Sequence, residues 1–187
     1  MKKTEDCFLK VKKDYLNFLK REKIFEESTE KKIFNLKKIY IPMSFWIDRK
    51  YKEKGKTLFL GTSGGQGSGK TTVTQILKII LKNFFKREVY VSSIDDFYKT
   101  QNDRKKMSHN ISLLFKTRGA PGTHDIDLVK NLFSFCGKKK FKRFKLPQFD
   151  KATDERLKKK YWFKIKKKPE IVILEGWCVG AKPQTNS

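Results

Sequence analysis

Several kinds of feature are scarce in this sequence, and each scarcity excludes a class of protein. The 187 residues include 3 cysteines, Cys7, Cys136 and Cys178, which form neither a CxxC pair nor a metal-ligand spacing. No apolar run approaches the ~20 residues that a membrane-spanning helix needs. Residues 1–23 contain acids and no uninterrupted apolar stretch, so they do not look like a secretory signal. We therefore expect a reduced, cytoplasmic protein with no membrane partner.

Acidic residues are also scarce, with 20 against 45 basic residues and a formal net charge of +25. Such a charge invites a nucleic-acid interpretation. However, 38 of the basic residues are lysine and only 7 are arginine, the residue that nucleic-acid sites use for bidentate contacts. Lysine is spread along the whole chain, a bias typical of AT-rich genomes. The composition thus favours a solvated lysine surface over a nucleic-acid partner, and the densest basic run, GKKKFKRFK at 137–145, is interpreted as an exposed loop or helix end.

The first part of the chain is predicted to be helical. Apolar residues recur at helical spacing over residues 4–40, and Pro42 suits the first turn of a further helix. The polar block YKEKGK at 51–56 separates this part from the rest. We predict a helical extension over residues 1–54 and one domain over residues 55–187, since a chain of this length supports a single sizeable core.

The second part alternates strands with helices. Strands are predicted for TLFLGTSG, EVYVSSID and EIVILEGW, and helices are predicted from Lys70 and over 125–135. The stretch 100–124 is interpreted as mostly loop, and the stretch 137–168 as basic and irregular. This alternation is typical of a parallel sheet in a three-layer α/β/α fold, in which functional residues gather at the carboxyl ends of the strands.

A glycine-rich loop follows the first predicted strand. Residues 64–71, GGQGSGKT, match the pattern GxxxxGK[ST], with the required strand before them and the required helix after them. Backbone N–H groups of such a loop surround a phosphate, which also faces the positive end of the helix dipole. Lys70 is expected to reach the β- and γ-phosphates of ATP, and the Thr71 hydroxyl to bind Mg²⁺. The expected nucleotide-binding residues are Gly64, Gly65, Gln66, Gly67, Ser68, Gly69, Lys70, Thr71 and Thr72.

Carboxylates end the other two predicted strands. Asp95 and Asp96 follow the second strand, and Glu175 follows the third. Phosphoryl transfer to a hydroxyl needs one carboxylate near the acceptor and another near the metal. Asp95 suits the first role and Glu175 the second, although a single such site is also typical of a helix cap. Tyr98 is interpreted as a wall of the acceptor pocket.

Two loops carry further candidates. Arg118, in RGAPGTHD, is a candidate partner of a carboxylate or phosphate on the acceptor. His124, in the same loop, is either a donor to substrate or a packing histidine. Asp150 and Lys151 lie in LPQFDKATDER, and the residues alone do not assign that loop to the site.

Five segments, taken in order, resemble the P-loop kinases related to plant-type D-glycerate 3-kinase. They are GTSGGQGSGKTT, SIDDFYKT, RGAPGTHDIDL, LPQFDKATDER and VILEGWCVG, within residues 40–182. The wider group includes uridine kinase, phosphoribulokinase and bacterial-type pantothenate kinase. The resemblance implies a P-loop NTPase fold, ATP and Mg²⁺ as cofactors, and transfer of the γ-phosphate to D-glycerate as a small-molecule substrate.

The resemblance also implies residue roles. Asp95 matches the general base and Glu175 the Walker-B-like position, which with Lys70 gives the expected catalytic set and, with Thr71, the expected metal ligands. Residues expected around the acceptor are Tyr98, Arg118, His124, Asp150 and Lys151. A nucleoside or pantothenate kinase, or a nucleotide-binding protein without turnover, stays an alternative. Members of this group continue beyond the strand that carries Glu175, so we expect a C-terminally truncated chain that lacks the remaining strands.

Overall fold

A computed structural model describes residues 2–25 and 27–182; residues 183–187 of the predicted domain lie outside the described part. Its helices are α1 (Lys2–Arg21), α2 (Thr29–Asn35), α3 (Ile41–Lys54), α4 (Lys70–Asn83), α5 (Gln101–Asn110) and α6 (Ile126–Gly137). Its strands are β1 (Leu58–Ser63), β2 (Val89–Ser93), β3 (Phe144–Leu146), β4 (Phe149–Asp150), β5 (Glu155–Arg156), β6 (Phe163–Ile165) and β7 (Ile171–Gly176). Short helical turns cover Leu36–Tyr40, Ile94–Phe97, Leu113–Lys116 and Lys159–Tyr161.

The chain forms two compact units. The first takes in residues of 1–60, 66–91 and 169–173, and the second takes in residues of 61–65, 92–168 and 174–187. This division differs from the boundary expected at residue 54, which stays a prediction.

The core of the first unit joins the N-terminal helices to α4. The buried face of α1 includes Val11 and Tyr15, and these side chains share one hydrophobic cluster with Ile76 and Ile80 of α4. The Tyr15 hydroxyl donates to the carbonyl of Lys32 at 3.1 Å, which ties α1 to α2. The helical spacing seen in the sequence therefore marks real buried faces on both α1 and α4.

A π-helical turn joins α2 to α3. The backbone N–H of Ile41 donates to the carbonyl of Leu36, five residues earlier. Pro42 follows in the first turn of α3, a position where proline is common. Gly55 ends α3 with φ 64°, a left-handed conformation that glycine adopts without strain. The helix predicted to begin around Pro42 is confirmed.

The sheet has the strand order β1-β7-β2. The N–H of Leu58 donates to the carbonyl of Glu170, and the N–H of Glu170 donates to the carbonyl of Glu88. The three strands therefore begin at the same edge and run parallel, as the alternating pattern predicted. Every residue of β7 is buried, which suits a central strand of a parallel sheet.

Helix α5 corrects the prediction that residues 100–124 are mostly loop. The Thr100 side chain caps this helix, accepting from the N–H of Asp103 at 3.1 Å and donating to its carboxylate at 2.7 Å. Arg104 anchors it, since its side chain is fully buried and donates to carbonyls of Lys99 and Asp154. The segment has no apolar stripe, so a search for hydrophobic periodicity could not find it.

The stretch 137–168 contains more structure than predicted. Strands β3 and β6 form one antiparallel pair, and β4 and β5 form another. Between the acceptor-side loop and this stretch, α6 confirms the helix predicted over 125–135, with Asp125 as its cap accepting from the N–H of Leu128 at 3.3 Å.

Candidate active site

The glycine loop leads from β1 into α4, as its motif requires. Gly67 and Gly69 have φ values of 75° and 78°, so both need the conformational freedom of glycine. Gly69 is the residue that caps α4, and its carbonyl accepts from the N–H of Val73 at 2.9 Å. A helix that begins directly after such a loop offers its N-terminal N–H groups to an anion.

The predicted nucleotide-binding residues divide between the two units. Gly64 and Gly65 belong to the second unit, and 66–72 belong to the first. Lys70 is the first residue of α4 and is partly exposed, while Thr71 is exposed beside it. Lys70 and Thr71 thus lie together in the first turn of α4.

The acceptor-side carboxylate is paired with a lysine. Asp95 lies in the turn Ile94–Phe97 directly after β2, and its N–H donates to the Ser93 hydroxyl at 3.3 Å. Lys151 Nζ lies 2.7 Å from Asp95 Oδ2. The Asp95 side chain is 28% exposed and that of Lys151 is 63% exposed, so the pair is open to solvent on the lysine side. The structure therefore brings two of the sequence-predicted site residues into direct contact.

Tyr98 and His124 lie beside this pair. Their rings stack with centroids 4.3 Å apart, and their backbones form an isolated antiparallel bridge. Burial, the charge of Asp95 and a hydrogen bond to its carboxylate raise the pKa of Tyr98 far above the ordinary value. The Tyr98 hydroxyl therefore stays protonated and donates to Asp95.

His124 is buried beside Tyr98. It is only 3% exposed, and among the described residues its Nε2 has no hydrogen-bond partner. Burial lowers the pKa of His124 below the ordinary value of 6.5, although the nearby Asp95 charge acts in the opposite direction. Its ring stacks on Tyr98. This contact is compatible with both alternatives for His124, a packing histidine and a hydrogen-bond donor to substrate.

Asp96 and Asp150 have structural tasks. Asp96 Oδ1 accepts from the N–H of Phe149 at 3.4 Å, and burial raises the pKa of Asp96. Asp150 accepts from the Thr153 hydroxyl at 2.8 Å and from the N–H of Ala152 at 2.9 Å, and these bonds lower its pKa. Asp150 thus holds the turn that presents Lys151, its neighbour in sequence.

Arg118 is engaged by a carboxylate of the protein. Its guanidinium pairs with Asp154, which also accepts from Arg104 at 2.8 Å. Both guanidinium groups lie over the ring of Phe149, 5.8 and 5.9 Å from its centroid. Burial alone would raise the pKa of Asp154, but the hydrogen bonds from Arg104 and Arg118 outweigh it and lower the pKa.

Two arginines of this region, Arg104 and Arg156, were not predicted from the sequence. Arg104 fixes Asp154, and Arg156 donates from Nε and Nη2 to the carbonyl of Tyr98 at 3.0 and 2.7 Å and pairs with Asp125 at 3.0 Å. Arginine is rare in this lysine-rich chain, and that rarity was the available signal, because arginine is preferred wherever a fixed, bidentate geometry is needed.

Glu175 lies near the end of β7 and is 6% exposed. Gly176 follows it, and a Cβ there would collide with the side chain of Ile94. Within residues 2–25 and 27–182, no three His, Cys, Asp or Glu side chains cluster as a metal site. The predicted Mg²⁺ ligands, the Thr71 hydroxyl and the Glu175 carboxylate, are nevertheless oxygen donors of the type that Mg²⁺ prefers. Among the described helices, none has the length and apolar character needed to cross a bilayer.

Comparison with known proteins links these features to one group of enzymes. No model of a protein family matches the chain. The chain is 33% identical over 146 residues to the protein called uncharacterized kinase mug58 of Schizosaccharomyces pombe, covering 74% of this chain and 52% of that protein. It is 29% identical over 163 residues to the chloroplastic D-glycerate 3-kinase of Arabidopsis thaliana, covering 77% of this chain and 35% of that enzyme.

A solved structure gives the same result for the fold. The structure of the YGR205w protein matches with a TM-score of 0.65 at 30% identity, over 78% of this chain and 55% of that one. The α/β P-loop fold predicted from the sequence is thereby confirmed. The chain spans between about a third and just over half of the length of these three relatives.

Proposed function

We propose that this chain forms part or all of an ATP-dependent kinase for a small anionic metabolite. It resembles the P-loop kinases related to D-glycerate 3-kinase in sequence and in fold. D-glycerate, converted to 3-phosphoglycerate, is the acceptor we favour. The name of the Arabidopsis relative supports this choice, and the chemistry of the acceptor-side residues supports an anion.

The contact between Lys151 and Asp95 carries the proposal. An ion pair with one partner 63% exposed contributes little stability, about 0–1 kcal/mol, so another anion can compete for the lysine. An acceptor that combines a carboxylate with a nearby hydroxyl would bind Lys151 through the first group and present the second to Asp95. Asp95 would then accept the hydroxyl proton as the γ-phosphate is transferred.

Tyr98 would keep the base in place. Its hydroxyl donates to Asp95, and the stack on His124 and the bonds from Arg156 to its carbonyl fix its position. A protonated tyrosine orients one oxygen of Asp95 through this hydrogen bond. Arg118 is held by Asp154, so in this proposal it shapes the acceptor side from a fixed position, while Lys151 is the mobile cation.

ATP would bind at the glycine loop. Lys70 would contact the β- and γ-phosphates, and Thr71 and Glu175 would hold Mg²⁺. The metal, when bound, supplies neutralisation of phosphate charge. Each of these assignments follows from the motif and from the place of each residue at the end of its own strand or the start of its own helix.

The experiment is ATP consumption by the purified chain with Mg²⁺, comparing D-glycerate, uridine, pantothenate and no acceptor. We expect turnover with D-glycerate, reduced at least ~100-fold in Asp95→Asn, because general bases contribute about 10²–10⁴-fold. Asp127→Asn is the matched control, since Asp127 is an exposed acid of α6 whose carboxylate pairs with Lys130 of the same helix.

Other outcomes would redirect the proposal. Preference for uridine or pantothenate would keep the kinase and replace the acceptor. ATP binding that Lys70→Ala removes, without turnover for any acceptor, would leave a nucleotide-binding protein and contradict the kinase proposal for this chain.

A further inference from the structure

The stretch predicted to be an exposed loop or helix end is organised in the structure. Residues 138–146 and 158–168 form a basic ribbon built on the antiparallel strands β3 and β6. Its segments 138–145 and 158–168 contain 13 lysine and arginine residues and no acid. Because no acidic residue lies within these two segments, the ribbon concentrates positive charge.

The ribbon has a buried face and a lysine face. Leu146 is 6% exposed and Ile165 is fully buried, so these two residues define the inner face. Lys145 and Lys164 are directly opposite each other in the register and both are exposed. Because neighbouring residues of a strand alternate between faces, both lysines lie on the outer face. Like charges at opposed positions destabilise an antiparallel pair, so this arrangement is not explained by stability.

Hydrogen bonds from Lys145 bring the two lysine-rich segments of the ribbon close together. Lys145 Nζ donates to the carbonyls of Lys159 and Lys160 at 3.1 and 3.5 Å. The ammonium of one lysine thus fixes the backbone of a second lysine run instead of meeting a carboxylate. The result is a higher local density of positive charge than the sequence spacing alone produces.

An exposed aromatic ring lies among these lysines. Tyr161, in the turn before β6, is 57% exposed, and Lys160 Nζ lies 4.8 Å from the centroid of its ring. Phe163 is paired with Leu146 and therefore lies on the inner face of the ribbon. Phe141 and Phe144 lie in the other lysine run, and Phe144 stacks on Phe135 with centroids 5.0 Å apart. Single exposed rings among lysines suit stacking with bases, whereas insertion into a lipid surface calls for a continuous exposed apolar face.

We propose that the basic ribbon binds single-stranded nucleic acid. Its lysines contact the phosphates, and Tyr161 stacks on bases, which gives affinity without sequence specificity. Overall composition made a nucleic-acid partner unexpected, and it is the local arrangement of the ribbon that now favours one. The proposal uses only residues of the ribbon and does not depend on the proposed kinase activity.

The test is binding of a labelled oligouridylate by the full chain, measured by fluorescence anisotropy over a range of NaCl concentrations. The triple variant Lys142→Gln, Lys164→Gln, Lys166→Gln removes three exposed ribbon charges. Lys10→Gln, Lys13→Gln, Lys20→Gln removes three exposed charges of α1 and has the same net charge. We expect the ribbon variant to bind about tenfold or more weakly. The plot of log K against log salt should also become less steep by about 2, since each phosphate contact contributes about 0.7 to the steepness.

A second variant separates stacking from charge. Tyr161→Leu keeps an apolar side chain and removes the ring, and we expect about fivefold weaker binding or more with the salt slope unchanged. The single variants Lys142→Gln and Lys166→Gln, each expected to remove about 0.7 from the slope, carry the test if the triple variant does not fold.

Three results would overturn the proposal. One is an equal loss in the α1 variant, which would mean that net charge alone attracts the oligonucleotide. Another is unchanged binding in Tyr161→Leu. The third is equally tight, ribbon-dependent binding of phosphatidylserine vesicles or polyglutamate, which would assign the surface to a membrane or to an acidic protein.

Discussion

The ammonium of Lys151 and the carboxylate of Asp95 are in contact at 2.7 Å although the two residues are 56 positions apart in the chain. The turn held by Asp150 presents the lysine, and the turn after β2 presents the aspartate. The predicted general base is thus in direct contact with a lysine that the resemblance put near the acceptor. The acceptor has to compete with Asp95 for Lys151.

Replacement of Lys151 should therefore affect acceptor binding more than the chemical step. We expect Lys151→Met to raise the KM for D-glycerate about tenfold or more, with a smaller change in kcat and no change in the KM for ATP, since a charge-assisted hydrogen bond contributes about 1.5–3 kcal/mol. Steady-state ADP release measures this, with Lys105→Met as an exposed control. A fall in kcat at constant KM would mean that Lys151 acts in the transition state instead.

Nucleotide affinity should depend on Lys70. We expect Lys70→Ala to weaken binding of ATP or its non-hydrolysable analogues by about tenfold or more at every salt concentration, because a direct contact to phosphate is lost. Isothermal titration calorimetry gives the comparison. Lys82→Ala, an exposed lysine of the same helix, should leave the affinity within about twofold, and equal losses in the two variants would contradict a specific contact.

His124 should make stability depend on pH. Burial lowers its pKa in the folded state, so the unfolded chain takes up a proton first as the pH falls below about 6.5. The stabilisation is fully present above that pH and is lost between it and the lower folded-state pKa, with a slope of up to about 1.4 kcal/mol per pH unit.

Urea denaturation at neutral and mildly acidic pH measures this slope. His124→Phe keeps a ring to stack on Tyr98 and should reduce the pH dependence in this window. The chain contains 2 histidines, and the exposed His109 provides the matched control as His109→Gln, which should behave as the parent chain does. An unchanged slope in His124→Phe would assign the pH dependence to other groups.

The phosphate-binding half of the candidate site could be predicted from the sequence because its signals are local. A strand, a glycine pattern and a helix are adjacent in the chain, so the residues around Lys70 needed no knowledge of tertiary structure. The same holds for Glu175, which ends a run of apolar residues long enough to indicate a buried strand.

The contacts on the acceptor side could not be predicted from the sequence. Strand ends and loop composition suggested Asp95, Tyr98 and His124, and the resemblance added Lys151, but nothing in the spacing indicates that Lys151 meets Asp95. Contacts of this kind depend on turn geometry, which Asp150 sets through two hydrogen bonds. Hydrophobic periodicity gives no signal where polar groups determine the structure. Helix α5 was not predicted for that reason.

Arg104 should contribute strongly to stability. Its side chain is fully buried and donates to Lys99 and Asp154, so Arg104→Met leaves carbonyl groups and part of a carboxylate without a donor. We expect a loss of about 2–4 kcal/mol in the free energy of unfolding, measured by chemical denaturation. Lys105→Met, at the exposed next position, should change it by less than about 0.5 kcal/mol. A loss equally small in Arg104→Met would mean that the surrounding groups rehydrate.

The strand order β1-β7-β2 has a consequence for how the protein is made. Strands β1 and β2 are synthesised early, yet neither neighbours the other, because β7 lies between them. A ribosome must translate through Gly176 and extrude that segment from its tunnel before the first interstrand bond of this sheet can form. Until then the apolar stretches of β1 and β2 emerge without partners, which makes the nascent chain a natural client for the chaperones that shield such segments during synthesis.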